Sequence, residues 1–287
     1  MAKVYDALQR AEAERKRRAE PDASVPAPAK LDWEPAAGAE GGAPAPARRT
    51  PFGGLWSLFR RRVVGEGAAE LNKRRISLLQ PDSFVAEQFR ALRGRIDAIA
   101  EQHPIRTIAV TSANPGEGKT TAAINLAVVT SLSVGRRVLL IDCDLRRPKV
   151  HHSLGIQPKA GLAEVLNGET SVEAAIEKAE GMDLEVLAVR GRPANPSELL
   201  SSARMRELIH EVSQRYDRVI LDTPAALGLP DAKAVSDLCD GSVMVVRANS
   251  TSEEDVLTVL EILDRRRVVG VVLNGTLADQ GRYGYVS

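Results

Sequence analysis

The strongest chemical signal in the sequence is the segment ANPGEGKTT, residues 113–121. Its spacing is that of a phosphate-binding loop, except that Ala113 stands where the first glycine is usual. Glycines at 116 and 118 let backbone N–H groups wrap around a phosphate, and the helix that follows adds the positive end of its dipole. Lys119 is expected to reach the β- and γ-phosphates of a nucleotide, and Thr120 to ligate Mg²⁺. The residues of this segment predicted to bind the nucleotide are Pro115, Gly116, Glu117, Gly118, Lys119, Thr120 and Thr121.

A pair of carboxylates forms the second signal. Asp142 and Asp144 end the apolar run VLLI, and Arg146 follows them. Side chains two residues apart on a strand point to the same face, so both carboxylates are expected to converge on one metal–phosphate centre. The alternative is a helix-capping aspartate beside a solvated one. Cys143, between the two, is predicted to be a small core residue rather than a nucleophile.

A third carboxylate, Asp222, ends another apolar run in the segment RVILDTP, residues 218–224. This is the usual place of the metal-side carboxylate in nucleotidases with a phosphate-binding loop. One aspartate after an apolar run is weak evidence by itself. As the third acid at a strand end, Asp222 strengthens the prediction of a metal–nucleotide site.

The elements that must position these residues alternate along the chain. Continuously apolar strands separated by helices indicate a parallel sheet that is covered on both faces. The sequence therefore predicts an α/β fold, a doubly wound and mostly parallel sheet of the P-loop NTPase type, with ligands at the carboxyl ends of the strands. Strands are predicted at 106–113, 136–144, 184–189, 218–224, 241–248 and 268–275, and helices at 81–102 and near 119–134, 197–213, 231–239 and 252–266.

Composition excludes several classes of protein. The 287 residues include 39 Lys and Arg against 38 Asp and Glu, a formal net charge of +1 that argues against a nucleic-acid partner. Two distant cysteines exclude a disulfide scaffold and fit a reducing cytosol. The sequence shows no apolar run of about 18 residues and no secretory signal, so a cytoplasmic location is expected.

The composition divides the chain into four parts. The first reads as a short charged helix, with a frayed tail as the alternative, and the second as a disordered linker rich in Pro, Ala and Gly. Within that linker, GLWSLFRRRVV at 54–64 is either a contact for a membrane or partner, or plain linker. The parts are 1–19, the linker 20–75, a P-loop domain 76–280 and a flexible tyrosine-bearing tail 281–287.

The combined motifs resemble one family, the bacterial tyrosine kinases of the polysaccharide co-polymerase system. The resemblance covers roughly residues 76–287. Pro115 to Thr120 match the family's Pro-x-Glu-Gly-Lys-Thr loop, and Asp142, Asp144 and Arg146 match its apolar–Asp-x-Asp-x-Arg motif. Its apolar–Asp-Thr-Pro motif is matched by Asp222, Thr223 and Pro224. Its helical Glu-x-x-Arg-x-x-Arg motif is matched by Glu87, Arg90 and Arg93.

The resemblance implies a mechanism. ATP with Mg²⁺ would occupy the loop, Asp142 would approach an incoming tyrosine hydroxyl, and Asp144 and Asp222 would hold the metal together with Thr120. Lys119 and Arg146 would complete the catalytic set. Asn274 would contact the adenine, although a turn residue after the last strand is the simpler interpretation.

The resemblance also implies partners. Glu87, Arg90 and Arg93 would make the contacts of a homo-oligomer, a ring in family members, in which Tyr283 or Tyr285 of one subunit is phosphorylated by its neighbour. A separate membrane-embedded polysaccharide co-polymerase would activate the kinase and hold it at the inner face of the cytoplasmic membrane. A cognate phosphotyrosine phosphatase would reverse the modification.

Two other functions stay open at this point. One is a weakly catalytic or non-catalytic ring scaffold that senses nucleotide, because the tail has two tyrosines where the family has a dense cluster. The other is an organiser ATPase of the MinD/ParA type, although Asn114 stands where those proteins carry a signature lysine. A eukaryotic-type kinase is excluded, because no HRD-like loop or DFG triplet occurs.

Overall fold

Seven strands form one sheet within residues 83–276, the part of the chain that the computed structural model describes. The strands are β1 (Thr107–Ser112), β2 (Val138–Asp142), β3 (Ile176–Lys178), β4 (Glu185–Leu187), β5 (Arg218–Asp222), β6 (Gly241–Arg247) and β7 (Val268–Asn274). Their order is β3-β4-β2-β5-β1-β6-β7. Every neighbouring pair is parallel except β3 and β4. The prediction of a mostly parallel α/β sheet is therefore confirmed.

Helices cover the sheet on both faces, which makes it doubly wound. The described helices are α1 (Phe84–Ala100), α2 (Lys119–Ser131), α3 (Val150–Leu154), α4 (Leu162–Asn167), α5 (Val172–Ala175), α6 (Pro196–Leu200), α7 (Ala203–Arg215), α8 (Asp231–Ser236) and α9 (Glu253–Ile262). A 3₁₀ turn at Arg265–Arg267 leads into β7.

The central strands are apolar throughout because both of their faces are buried. Every residue of β1, β2 and β5 is buried. Neighbouring side chains of β2 alternate between two cores, as strand geometry requires. Leu140 packs in the core that contains Ile96 of α1 and Ile124 of α2, whereas Leu139 belongs to the core of Leu208 in α7.

Helix α2 is buried along nearly its whole length, which matches its lack of a polar face. It begins at Lys119, directly after the loop that follows β1. The apolar residues between Ala122 and Val129 pack against the sheet and fix the helix axis. The first turn of α2 is thereby held at the carboxyl ends of the central strands.

Helix α1 is tied to the amino end of the sheet by one carboxylate. The Ser83 hydroxyl caps the helix and accepts a hydrogen bond from the Ala86 N–H at 3.2 Å. Asp97 accepts hydrogen bonds from the guanidinium groups of Arg136 and Arg218, each at 2.8 Å. Since Arg218 opens β5, this contact joins α1 to the strand that ends at Asp222.

Every element predicted in the described part of the chain has a counterpart in the structure, but the short helices α3, α4 and α5 were not predicted, and three further differences occur. Each of the six predicted strand segments contains one strand. The helix predicted over 197–213 is broken into α6 and α7, because the Ser202 hydroxyl caps α7 by accepting from the Met205 N–H. The helix predicted over 252–266 ends at Ile262, where Leu263 turns extended and buries its side chain. The edge strand β3 was not predicted.

Some predictions fall on residues that the structure does not describe. These are the helix at 1–19, the linker at 20–75 with its segment 54–64, and the tail at 281–287. Between residues 83 and 276, none of the helices has the length and apolar character needed to cross a bilayer.

Candidate active site

The phosphate-binding loop joins β1 to α2 and depends on two glycines. Gly116 and Gly118 have φ angles of 87° and 103°, in the left-handed region that side chains rarely adopt. Gly118 is also the residue before the first turn of α2, whose 13 residues direct a helix dipole at the loop. The loop, the unpaired N–H groups of the first turn and the dipole together form an anion-binding cradle.

Asn274, at the end of β7, closes one side of this cradle. Its side-chain amide donates to the Glu117 carbonyl at 2.8 Å, and its Oδ1 accepts from the Gly275 N–H at 2.9 Å. A Cβ on Gly118 would meet the Asn274 amide group, which would have to move, and the φ of Gly118 favours glycine in any case. Asn274 therefore contacts the loop itself, and its contact with an adenine stays a prediction.

Asp142 and Asp222 lie next to each other at the edge of the sheet. Each is the last residue of its strand, and the two are register partners across the parallel pair of β2 and β5. Both are fully buried. Cys143 donates its N–H to the Asp222 carbonyl at 2.8 Å, and its thiol belongs to the core, as predicted.

Asp142 is held in place by backbone donors. Its Oδ2 accepts from the N–H groups of Lys149 and Val150, both at 3.1 Å, and its Oδ1 accepts from Asp144 at 3.1 Å. Burial, followed by the charge of Asp222, raises the pKa of Asp142 to about 8 against the opposing effect of these hydrogen bonds. Asp142 is thus a fixed carboxyl group of unusually high proton affinity.

Asp222 has the opposite arrangement, because neither of its buried oxygens accepts a well-formed hydrogen bond. Burial raises its pKa to about 6, although the charge of Lys119 and the hydroxyl of Thr120 oppose this shift. Buried carboxylate oxygens without donors are ligands that suit a hard cation such as Mg²⁺. Asp222, with Thr120 close by, therefore fits the metal role that the sequence predicted.

Lys119 connects the phosphate-binding loop to these acids. Its ammonium lies 3.0 Å from Oδ2 of Asp144, and both side chains are nearly buried. Burial lowers the pKa of Lys119, but the charges of Asp222, Asp144 and Asp142 outweigh this effect, so the pKa is raised overall. The lysine is therefore held as a cation beside three carboxyl groups.

Asp144 reaches this cluster by a route that differs from the prediction. The predicted strand over 136–144 ends at Asp142, so the two carboxylates do not share a strand face. Asp144 lies in the following loop, where its Oδ1 accepts from the Arg147 N–H at 3.0 Å. The loop bends back because Asp142 accepts from Asp144, and this bend brings Asp144 to Lys119.

Arg146, which was predicted to be catalytic, forms its hydrogen bonds with Asp231 and Ser197. Its Nε donates to Asp231 at 2.7 Å, and its Nη2 donates to Ser197 at 2.8 Å. The Ser197 hydroxyl also donates to Asp231 at 2.6 Å. The Asp231 side chain is completely buried, so these three residues join the loop after β2 to α6 and α8. The catalytic role of Arg146 stays a prediction.

The three residues predicted for oligomerisation lie on α1 and separate into two groups. Glu87 and Arg90 form an ion pair with each other, and Glu87 is well exposed. Arg93 instead donates to the Val129 carbonyl at 2.6 Å and to the Ser133 hydroxyl at 2.9 Å, at the end of α2. Arg93 therefore contacts its own chain.

Three residues beside the loop, and Asn114 within it, had no predicted role in the site. Arg247 donates to the Gly116 carbonyl at 2.9 Å, and Thr251 donates to Glu117 at 2.5 Å. The Asn114 amide donates to Asp255 at 2.9 Å. Their partners are more than 130 positions away along the chain, so local spacing carried no signal for them. Asn114, at the position compared above with the signature lysine of organiser ATPases, thus forms a hydrogen bond within its own chain.

Tyr216 is the one tyrosine within residues 83–276. It is 3% exposed, donates its hydroxyl to Glu185 and lies 5.0 Å from the guanidinium of Arg137. Burial, then the bond to Glu185, raises its pKa to about 12. Tyr283 and Tyr285, the predicted acceptors, lie outside the described residues.

Comparison with known proteins agrees with this geometry. A family model described as an AAA domain matches residues 105–267. The tyrosine-protein kinase YwqD of Bacillus subtilis is 39% identical over 213 residues, which are 73% of this chain and 90% of that protein. The succinoglycan biosynthesis transport protein ExoP of Rhizobium meliloti is 36% identical over 215 residues, which are 73% of this chain and 27% of that protein.

Solved structures give the same result. The kinase domain of the Escherichia coli tyrosine kinase ETK superimposes with a TM-score of 0.67 at 31% sequence identity, and the match covers 74% of this chain and 84% of that one. The chain thus spans most of the Bacillus kinase and of this kinase domain, and about a quarter of the Rhizobium protein. With the phosphate-binding loop, its lysine and the aspartates Asp142, Asp144 and Asp222 in one place, the chain belongs to the family of bacterial tyrosine-protein kinases.

Proposed function

We propose that this chain is an ATP-dependent protein-tyrosine kinase that phosphorylates tyrosines in the tail of a neighbouring subunit. The observation that carries the proposal is the contact of Lys119 with Asp144 at 3.0 Å, beside the register pair of Asp142 and Asp222. A phosphate-loop cation and three buried carboxyl groups are the parts that phosphoryl transfer needs for charge neutralisation and positioning. Structural ion pairs seldom bring so many like charges together.

The residues present fit ATP and Mg²⁺. Backbone N–H groups of residues 116–120 would hold the phosphates, and Asp144, Asp222 and the Thr120 hydroxyl would hold the metal. Mg²⁺, when bound, supplies positive charge that neutralises the phosphate oxygens. Lys119 would exchange its contact with Asp144 for the phosphates, because its ammonium is within reach of both the acids and the loop.

Asp142 is the group we assign to the acceptor. The tyrosine hydroxyl would approach Asp142, which accepts its proton as the new O–P bond forms and the bond from the γ-phosphorus to the bridging oxygen breaks. Burial raises the pKa of Asp142, so its carboxylate, once ionised beside a bound cation, is a stronger base than an ordinary aspartate. Its backbone hydrogen bonds hold it still, so little reorganisation accompanies the transfer.

The acceptors we propose are Tyr283 and Tyr285. Tyr216 is unsuited, because its hydroxyl is buried against Glu185. A homo-oligomer, with a ring as the form that the resemblance implies, would bring the tail of one subunit to the site of the next. Glu87 and Arg90 on the surface of α1 are the residues we propose for that contact, while Arg93 supports the helix from within.

The biological setting we propose is the assembly of an exopolysaccharide or capsule. The printed name of the Rhizobium relative refers to succinoglycan biosynthesis and transport. As the resemblance implies, the activating partner that we propose is a separate membrane-embedded polysaccharide co-polymerase. The kinase would then act in the cytoplasm at the inner face of the membrane, with a phosphotyrosine phosphatase to reset it.

Mass spectrometry before and after incubation with Mg²⁺ and ATP tests the proposal. Phosphate is expected on Tyr283 or Tyr285 of the wild type and absent from Lys119→Ala. Lys233→Ala is the matched control, since Lys233 of α8 forms an exposed ion pair with Asp237, the residue that follows this helix. Wild-type protein that binds ATP and stays unphosphorylated, even with its membrane partner, would contradict the kinase and favour the scaffold.

Transfer between subunits has its own test. Lys119→Ala keeps the acceptor tyrosines, and the double variant Tyr283→Phe, Tyr285→Phe keeps the catalytic groups. We expect phosphate on the Lys119→Ala chain when the two are mixed, and on neither when each is incubated alone. Transfer within one chain would give a different result. The wild type would then be phosphorylated at a rate that does not change with dilution, and no chain in the mixture of variants would be phosphorylated.

A further inference from the structure

A carboxylate within the phosphate-binding loop is the feature that the proposed mechanism leaves unused. Glu117 is only 3% exposed and sits between the two loop glycines. A negative charge in a phosphate cradle repels the ligand unless it is turned away and bonded elsewhere. A buried carboxylate is also costly unless its oxygens receive hydrogen bonds. The partners of Glu117 therefore decide whether the loop can bind an anion.

Both oxygens of Glu117 have partners inside the chain. Oε2 accepts from the N–H of Asn114 at 2.9 Å, which closes the loop on itself. Oε1 accepts from the Thr251 hydroxyl at 2.5 Å, and that hydroxyl accepts in turn from the Arg247 N–H at 2.8 Å. A continuous line of hydrogen bonds thus runs from the end of β6 through Thr251 to Glu117 and the loop backbone.

Two further contacts fasten the loop to the same place. Arg247 donates to the Gly116 carbonyl and Asn114 to Asp255, both at 2.9 Å. The residues 247–255 between the end of β6 and the first turn of α9 therefore form a support for the loop. Of the support's three contacts with the loop, the one through Thr251 is made to the buried carboxylate.

We propose that Thr251 is a positioning residue for nucleotide binding, and that it acts by holding the Glu117 carboxylate away from the phosphates. The inference rests on the proposed function, since it assumes that nucleotide binds at this loop. Without the Thr251 hydroxyl, Glu117 loses one donor and gains freedom to turn its charge toward the cradle. The loop then has to be ordered by the nucleotide itself, at a cost in affinity.

This role predicts a particular kinetic pattern. Preorganisation of the loop stabilises bound ATP and the transition state alike, so its loss raises KM for ATP and leaves kcat nearly unchanged. A merely structural role would lower the melting temperature or the fraction of active protein and leave KM unchanged. The loss of a hydrogen bond to a charged group corresponds to about a tenfold change in affinity.

Calorimetric titration of the full chain with MgADP, together with KM for ATP, tests the proposal on Thr251→Val. We expect Kd and KM to rise about tenfold, with kcat within about a factor of two. Thr251→Ser, which keeps the hydroxyl, is expected to restore both. Thr258→Val is the matched control on α9, because the Thr258 hydroxyl is exposed and bonds to Glu254 of the same helix.

A double-mutant cycle with Glu117→Gln tests the route of the effect. If Thr251 acts through the carboxylate, the two substitutions together weaken MgADP binding no more than the more severe single one. Unchanged Kd in Thr251→Val, equal loss in Thr258→Val, no rescue by serine, or full additivity would overturn the proposal. Absence of MgADP binding by the wild type would refute nucleotide binding itself, and this inference with it.

Discussion

Asp142 and Asp222 are register partners across β2 and β5, so the sheet itself sets two carboxyl groups side by side in a buried place. Adjacent strands lie about 4.8 Å apart, which is too close for two buried negative charges without a cation. Burial is the main cause that raises their pKa values to about 8 and about 6, and the charge of Asp222 adds to the rise at Asp142. The pair is therefore a strained arrangement that a bound cation would relieve.

The first prediction concerns stability and pH without metal or nucleotide. Unfolded aspartates titrate near pH 4, whereas these two retain protons to about pH 6 and pH 8 in the folded protein. The folded form then binds more protons than the unfolded chain, so this pair lowers the free energy of unfolding as pH rises through that window. Melting curves in EDTA should show Asp222→Asn more stable than wild type at pH 8, by about 2–4 °C.

The same variant should show no such advantage at pH 5, where both acids hold their protons. A gain at pH 5 equal to that at pH 8 would contradict the electrostatic cause. Saturating Mg²⁺ and ADP should stabilise the wild type at pH 8 more than Asp222→Asn, since the variant lacks the charged carboxylate that would bind the metal.

The second prediction concerns Arg146 and its buried partner. Arg146→Ala removes the guanidinium that pairs with the buried Asp231 carboxylate, which then keeps only its hydrogen bond from the Ser197 side chain. The substitution should lower the free energy of unfolding by about 3 kcal/mol. Asp231→Asn added to Arg146→Ala removes the stranded charge and should recover part of that loss. Denaturant titration measures both. A double variant that is stable and still phosphorylates would make Arg146 structural, whereas a stable and inactive one would support its predicted catalytic role.

The third prediction separates Arg93 from Glu87. Arg93→Ala removes two hydrogen bonds to the end of α2 and should lower the melting temperature by about 2–4 °C. Glu87→Ala removes only an exposed ion pair and should leave the melting temperature almost unchanged, while light scattering detects a smaller oligomer. Equal thermal effects of the two substitutions would contradict the division of α1 into an inner and an outer group.

The fourth prediction concerns the buried tyrosine. Tyr216→Phe should retain the full phosphotyrosine content of the wild type, because the hydroxyl of Tyr216 is engaged by Glu185 and its pKa of about 12 disfavours deprotonation. Peptide mass spectrometry should find no phosphate on the wild-type peptide that contains Tyr216. Stoichiometric phosphate there in folded protein would show that this region opens during catalysis.

The parts of the site that the sequence could predict are those coded by neighbouring residues. β1, the loop glycines and Lys119 form one local pattern, and Asp142 and Asp222 each end a continuous apolar run. Strand β3 carried no such pattern, because its residues Ile-Glu-Lys become a strand only by pairing antiparallel with β4. Local periodicity therefore found the six strands that pair in parallel, including β7 at one edge, and missed the antiparallel strand β3 at the other edge.

The contacts that bind the site together are long-range, and no spacing rule encodes them. Asp231 lies 85 positions from Arg146, and Thr251 lies 134 positions from Glu117. From the sequence alone, the guanidinium of Arg146 could bind a phosphate or a buried carboxylate equally well. The partner is chosen by the packing of α6, α8 and α9 against the sheet, which only the folded chain reveals.

The central position of β1 has a consequence for how the protein is made. Both neighbours of β1 come from far later in the chain: Thr107 pairs in register with Val219, and Ile108 with Gly241. Until β5 and β6 have left the ribosome, the strand that leads into the phosphate-binding loop has two open edges and apolar faces. Contacts of such sequence separation fold slowly. The nucleotide site thus cannot assemble until β5 and β6 have been synthesised, and the growing chain depends most on protection from aggregation before that point.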